Sequence, residues 1–366
     1  MASPTQAARH PPRRVVLEPV GAQPRITARM VLNRTVVVSA LGYFVDIYDL
    51  LLFSIVRVPS LQGLGLSGSQ LLDAGVLLLN AQMAGLLVGG ILWGVLGDKR
   101  GRVTVLFGSI ALYSVANIAN AFVVDIPSYA ALRFIAGVGL AGELGAAITL
   151  VSEVMTKEAR GYGTAVVSGV GIAGALLAGT VGALFDWRVA FVVGGALGLV
   201  LLVTRYKMAE SGMFQNVHDV PGVRRGDLGM LVRSRPRLVK YVQCVLIGLP
   251  IWFVVGVLIT FSPELARELG VLGPINAGAA VMANYAAAAL AGFGTGFLSQ
   301  KLRTRWWVVL AALGTTAVLV FAYVFARGVS VEVFYALCFL LGISTGYWTV
   351  FVTIASEQFG TNLRAT

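Results

Sequence analysis

Ten stretches of this chain stay apolar for long enough to cross a lipid bilayer. Val31–Val56, Leu71–Leu96, Val103–Val124 and Ala190–Thr204 are almost wholly apolar, and about 20 apolar residues in a helix span a hydrocarbon core of roughly 30 Å. Approximate limits are 33–56, 71–96, 103–124, 127–154, 162–185, 188–205, 239–262, 277–299, 306–326 and 331–356. Strands of a membrane barrel would alternate apolar and polar residues over about ten positions. These runs do not alternate. The pattern predicts an all-α membrane protein with ten transmembrane helices, six plus four.

The polar segments set the domain limits. The longest, between the sixth and seventh spans, is basic and carries Pro221 and Pro236. It predicts a disordered basic tail over 1–32, a six-helix bundle over 33–205, a linker over 206–238 and a four-helix bundle over 239–366. An internal repeat supports the division. Ile148–Arg160 (ITLVSEVMTKEAR) and Val352–Arg364 (VTIASEQFGTNLR) align at a shift of 204 residues. The alignment matches Thr149, Ser152, Glu153 and Arg160 with Thr353, Ser356, Glu357 and Arg364. Both segments fall at the ends of spans four and ten, where a duplicated six-helix unit would place them. Repeated halves of this sort mark transporters. The second copy stops short of two further spans, so the second half is expected to be incomplete.

Composition and charge narrow the class. Charged residues make up 12% of the chain against about 25% in soluble domains, too few to solvate a water-soluble surface of this size. The net charge of +11 would suit a nucleic-acid binder, but its distribution does not. Of 28 lysines and arginines, 23 fall in the tail and in the links after the even-numbered spans. Arg57, Arg188, Arg267 and Arg327 lie on the other side, and Arg133 near the start of span four. Short positive loops stay in the cytoplasm, so the N-terminus is expected inside a cell inner membrane, with no nucleic-acid partner. Cys244 and Cys338 give neither a disulfide framework nor a metal spacing. His10 and His218 lie outside the spans. No nucleophile–base pair, metal site or cofactor motif emerges, so the chain is not expected to be an enzyme. The bilayer and a small solute are the expected partners, and the chain is expected to be monomeric.

Chemistry concentrates in spans one and four. Asp46 and Asp49 lie at i and i+3 on one helix face, about halfway across, and Tyr43 and Tyr48 beside them in the sequence are candidates for a substrate site. A charge at that depth costs about 2.5–3.5 kcal/mol even on the lenient scale. Such carboxyls are expected to face a cavity and to exchange a proton. Glu143 lies at similar depth in span four, with Arg133 about 15 Å outward at 1.5 Å per residue. Arg133 suits an anionic substrate or a carboxylate partner. Asn80, Gln82, Asn284, Tyr285, Trp252, Tyr347 and Trp348 are further candidates for a substrate site or for ties between helices. Small-xxx-small pairs such as Gly85/Gly89, Gly194/Gly198 and Gly342/Gly346 point to close helix packing.

The link between spans two and three reads Gly94-Val-Leu-Gly-Asp98-Lys-Arg-Gly101-Arg102. It resembles the G-x-x-x-D-[RK]-x-G-R-[RK] loop of the major facilitator superfamily, with Val103 at the last basic position. Asp46-x-x-Asp49, Arg133, Gly142-Glu143 and Glu153 together resemble its metabolite:proton, phosphate:proton and aromatic-acid:proton symporter branches. Glu210-Ser211-Gly212-Met213-Phe214 is similar to an E-S-P-x-[FW] segment of those branches and of sugar porters, with Gly212 in place of proline. The resemblance covers the chain from about Arg34 onward. It implies a six-plus-six helical bundle lacking its last two helices, with alternating access to a midplane site. It also implies a cytoplasmic gate of Gly94, Asp98, Gly101, Arg102, Glu153, Arg160, Glu357 and Arg364, in which Asp98 would meet an eleventh span. Without that span the chain is expected to transport poorly. Span five lacks the glycine–proline element usual in drug antiporters, which speaks against efflux. The expected function is proton-coupled uptake of a small organic anion, with Asp46, Asp49 and Glu143 as proton carriers. The alternatives are an uncoupled facilitator and a non-transporting membrane sensor.

Overall fold

Apolar length alone accounts for the architecture. The computed structural model describes residues 32–155, 157–205, 229 and 233–358, and among them ten helical stretches are long and apolar enough to cross a membrane. The first bundle contains α1 (Arg34–Gly63), α2 (Ser69–Arg100), α3 (Arg102–Asn120), α4 (Ile126–Val154), α5 (Lys157–Ile172), α6 (Gly174–Leu184) and α7 (Trp187–Thr204). The second contains α8 (Arg235–Phe253), extended by a π-helical turn over Val254–Ile259, then α9 (Ser262–Glu268), α10 (Ala277–Lys301), α11 (Trp306–Val324), α12 (Val331–Thr345) and α13 (Trp348–Gln358). Asn33, Asp125, Asp186, Asn276 and Ser330 cap α1, α4, α7, α10 and α12, each accepting a bond from a backbone N–H two or three residues on. Such caps satisfy donors that a helix start leaves unpaired.

Several spans differ from a simple reading of apolar length. Helix α2 runs straight through Asp98-Lys99-Arg100, so the predicted turn shrinks to Gly101, whose φ of 103° favours glycine. Span five is interrupted at Ala173, between α5 and α6, and span ten at Gly346–Tyr347, between α12 and α13. Span seven starts at Arg235, with Pro236 in its first turn where no N–H is needed. It widens into the π turn just after Pro250. Interruptions of this kind often mark functional positions.

Glycines set the close approaches. A methyl group at Gly85 or Gly89 of α2 would collide with backbone atoms of Phe134 or Val138 on α4, and one at Gly342 of α12 with the Asn284 carbonyl of α10. Between the bundles, Gly169 of α5 faces Phe293 and Gly179 of α6 faces Met282, both on α10. Without a hydrophobic drive between helices in lipid, such contacts supply much of the association energy. Gly90, by contrast, has no atom within 4 Å of an added methyl group. Gly85→Ala should therefore destabilise the protein by about 1–3 kcal/mol through overpacking. Gly90→Ala should stay within about 0.5 kcal/mol of wild type. Thermal unfolding in detergent micelles checks the contrast, and equal melting of both variants would contradict this packing.

Candidate functional site

The helices that carry the predicted residues converge on a central cavity of about 290 Å³ between the two bundles. Its wall takes Tyr43, Asp46, Ile47 and Leu50 from α1, with further apolar residues from α2, α4 and α5. The opposite wall is Ile251 and Trp252 of α8, Val255 of the π turn, Asn284, Tyr285 and Ala288 of α10, Thr345 of α12 and Trp348 of α13. Trp252 and Trp348 meet edge to face, with ring centroids 6.2 Å apart. Among the described residues, no lysine or arginine lines the cavity. Among the described residues, Asp46 Oδ1 and Asn284 Oδ1 on its wall are buried without a hydrogen-bond partner, and the Trp348 indole lies within hydrogen-bond reach of the Tyr43 hydroxyl. The second Asn284 function is used, since its amide donates to the Cys338 carbonyl at 3.0 Å. The site therefore offers aromatic faces, one carboxyl and one amide oxygen.

Six of the predicted residues line this cavity: Tyr43, Asp46, Trp252, Asn284, Tyr285 and Trp348. Others are absent from its wall. Tyr48 donates to the Ala190 carbonyl at 2.9 Å, Gln82 to the Leu50 carbonyl at 3.3 Å and Tyr347 to the Ile247 carbonyl at 2.7 Å, so each ties helices together. Asn80 is exposed on the outer surface of α2. Thr345 and the Trp252–Trp348 contact were not singled out by sequence. The short polar step Ser344-Thr345, just before Tyr347-Trp348 in a membrane span, is the signal available.

A charged cluster lies beside the cavity, at the heart of the first bundle. Glu143 and Arg205 are fully buried and paired through both guanidinium nitrogens, Arg205 Nη1 donating to Glu143 Oε2 at 2.8 Å and Nη2 to Oε1. The pair occupies the space left by the missing side chain of Gly42, one turn before Asp46. By sequence Arg205 is the last residue of span six and counts with the basic residues that follow that span. The structure instead turns it back into the bundle, where it neutralises Glu143. Asp46 lies within Coulombic reach of Glu143, Asp49 and Arg205. Arg133 is sandwiched between the rings of Phe53 and Phe191, 5.5 and 5.4 Å from their centroids, within reach of Asp49. Such stacking attracts a guanidinium through the ring quadrupole. Of the three carboxyls, only Asp46 also borders the cavity.

At the end of the bundle that carries the predicted gate, Asp98 is buried near the end of α2 and Gly94 is buried one turn earlier. Arg102, Glu153, Arg160 and Glu357 fall in α3, α4, α5 and α13, but their side chains, like all of Arg364, lie outside the described residues. At the opposite end the two bundles are joined directly. Arg57 of α1 donates to Glu264 of α9 at 2.6 Å, and its guanidinium lies 4.8 Å from the Phe261 ring centroid. Thr260 and Ser54 share a 3.2 Å hydrogen bond one turn deeper. The Arg57 stem fits against Gly75 of α2. The chain is thus closed at this end by a mostly buried ion pair that no sequence motif announced.

The family model described as Major Facilitator Superfamily matches residues 35–366. The putative niacin/nicotinamide transporter NiaP of Bacillus subtilis (strain 168) is 26% identical over 365 residues, 95% of this chain and 85% of that protein. The 3-(3-hydroxy-phenyl)propionate transporter of Escherichia coli (strain K12) is 38% identical over 140 residues, 37% of this chain and 34% of that protein. The solved structure of the proton:xylose symporter XylE bound to 6-bromo-6-deoxy-D-glucose superposes with a TM-score of 0.69 at 17% identity, covering 91% of this chain and 83% of that one. At that identity the likeness is one of fold.

Three variants test the charge geometry. Glu143→Ala leaves the Arg205 guanidinium buried without its partner and should cost about 3–5 kcal/mol, read as thermal stability in micelles. Unchanged stability would mean that the pair is not buried as described. Arg57→Glu should open the Arg57 end and speed thiol labelling of a cysteine placed at Ser54. The swap Arg57→Glu/Glu264→Arg should restore protection. Labelling that ignores both changes would remove the ion pair from closure.

Proposed function

Since this chain belongs to the major facilitator superfamily, a family of membrane transporters, we propose that it is a secondary active carrier that couples a proton to the uptake of a small organic acid. The observation that carries this is Asp46, a buried carboxyl with an unbonded oxygen on the wall of a cavity to which the described residues contribute no basic side chain. A carboxylate substrate beside an ionised Asp46 would put two like charges together in a desolvated site. With a proton on Asp46 the pair becomes a hydrogen bond between acid and carboxylate, of the charge-assisted kind. Anion and proton then bind together or not at all, which is coupling. Glu143 has its charge met by Arg205, so its role is to hold Arg205 and set the field at Asp46. Asp49 sits in the same field beside Arg133.

The volume, at the lower edge of ligand pockets of roughly 300–1,000 Å³, suits a single-ring solute. Four aromatic side chains on the wall suit a planar ring. The relatives named as carriers of niacin and of a hydroxyphenyl acid agree with that chemistry. By the basic-residue bias the Asp98 end faces the cytoplasm of an inner membrane and the Arg57 end faces outward. Rocking of the two bundles about the central cavity would then expose it alternately.

Uptake into proteoliposomes with an imposed proton gradient, using nicotinate, 4-hydroxybenzoate, xylose and phosphate, tests the reading. An aromatic acid should accumulate. Asp46→Asn should lower that accumulation by about tenfold or more, because an amide cannot exchange the proton, while counterflow stays within about twofold. Gradient-independent xylose flux would favour the uncoupled facilitator, and an Asp46→Asn variant that accumulates like wild type would assign the residue to structure.

A further inference from the structure

A second cavity, of about 860 Å³, lies between the bundles at the Arg57 end. It is walled by the end of α1, the start of α2 and residues of 261–277, which include α9 and the first residue of α10. The wall is mostly apolar, and its charged members among the described residues are Glu264, Arg267 and Glu268. This vestibule stacks on the central cavity along the seam between the bundles. On α1 the central cavity reaches out to Leu50 and the vestibule begins at Ile55; on the facing span the corresponding residues are Val255 and Phe261. The septum between them is tied by the Ser54–Thr260 hydrogen bond and, one turn further out, by the Arg57–Glu264 ion pair.

The two partners of that pair are held differently. Arg57 is fully buried and fixed within the first bundle, its stem and Nη1 filling the space that a methyl group at Gly75 of α2 would take. Glu264 comes from the second bundle and lines the vestibule, with 24% of its side-chain surface open. Arg57 Nη2 holds Glu264 Oε1, while Nε and Nη1 of Arg57 and Oε2 of Glu264 make no hydrogen bond among the described residues. Any motion that parts the bundles here carries Glu264 away and leaves Arg57 a buried cation without its counterion, which is strongly unfavourable. A carboxylate that takes the place of Glu264 from the vestibule removes that penalty. Because Arg57 has donors to spare, such a carboxylate can be bound through both oxygens. An amide of the same shape offers no charge to balance the guanidinium.

We propose that the vestibule is an entry site for the transported acid, in which Arg57 exchanges Glu264 for the incoming carboxylate and so admits anions in preference to neutral analogues. The proposal rests on the organic-acid reading above and adds to it the group that recognises the acid's charge before entry. The described residues give the central cavity no basic side chain, so a full positive charge that selects the acid over its amide is met at the septum and not inside. The apolar vestibule wall takes the ring while the carboxylate reaches the guanidinium. Release of Glu264 then frees this end of the second bundle, and the acid favours the open state because it binds Arg57 only there.

Photolabelling of the purified chain in micelles with 4-benzoylbenzoate and with 4-benzoylbenzamide, read by peptide mass spectrometry, tests it. In wild type the acid should label residues of 55–76 or 261–277 about fivefold or more over the amide, since a site built for a charged partner rejects the analogue that lacks it. Glu264→Gln removes the competing carboxylate and should raise labelling by the acid alone. Arg57→Gln should bring acid and amide together, and Glu264→Gln decides by itself if that variant does not fold. A pair that only holds the bundles together would change labelling by both reagents alike. Equal labelling in wild type, or acid labelling that does not rise in Glu264→Gln, would overturn the proposal. The proteoliposome uptake above separates it from the reading it rests on. Gradient-driven accumulation of an aromatic acid with equal vestibule labelling removes the entry site and keeps the carrier. Charge-selective labelling without accumulation keeps the anion site at Arg57 and removes the coupled uptake.

Discussion

Charge inside a membrane bundle has to be balanced locally, and much of this structure follows from that constraint. Around the centre of the first bundle, among the described residues, Asp46, Asp49 and Glu143 face Arg133 and Arg205. An unpaired charge at this depth is expensive. The Glu143–Arg205 pair settles one charge of each sign, and it exists because Gly42 leaves space for it and because the Arg205 side chain, at the end of α7, reaches into the bundle. Arg133 is held between two phenylalanine rings within reach of Asp49. One carboxyl is left over. On the proposed reading it is Asp46, and the imbalance is resolved by a proton that the protein can take up and release.

The same side chain joins two environments. Toward the second bundle it meets an aromatic cavity to which the described residues contribute no basic group. Toward α3 it lies within reach of Tyr113, part of a buried polar stripe. A ligand that alters the charge state favoured at Asp46 alters the energy of the whole cluster, and a conformational equilibrium shifts only through such differences between states. The Arg57–Glu264 and Ser54–Thr260 contacts give one of those states a physical hold at the opposite end. The π turn of Val254–Ile259 lies between these contacts and the cavity, with Val255 on the cavity wall and Thr260 next in the chain. It is a natural place for that span to flex.

The ten spans were legible because about 20 apolar residues in a row have few other uses in a protein. Asp46, Asp49, Arg133 and Glu143 were legible as unusual because charge in such a run demands a reason. Their partners were not. Arg205 reads as the basic end of span six, and only the fold shows its side chain reaching inward to Glu143. Asn80 and Gln82 look equivalent in sequence, yet a helix puts one on the outer surface and the other against the Leu50 carbonyl. The breaks at Ala173 and Gly346–Tyr347 are hidden within continuous apolar runs. Arg57 and Glu264 are 207 residues apart, and no local pattern joins them. The α3 stripe could have been found, since polar residues at helical spacing in a membrane span are a signal in themselves.

The central claim is that one proton resides in the buried cluster and that Asp46 carries it. Infrared difference spectroscopy of carboxyl C=O stretching, recorded on the purified protein across a pH jump and repeated with single amide variants, reads this directly. The account predicts one titrating protonated-carboxyl band that is absent in Asp46→Asn and persists in Glu143→Gln. A band that survives Asp46→Asn, or no protonated carboxyl in the wild type, would contradict it.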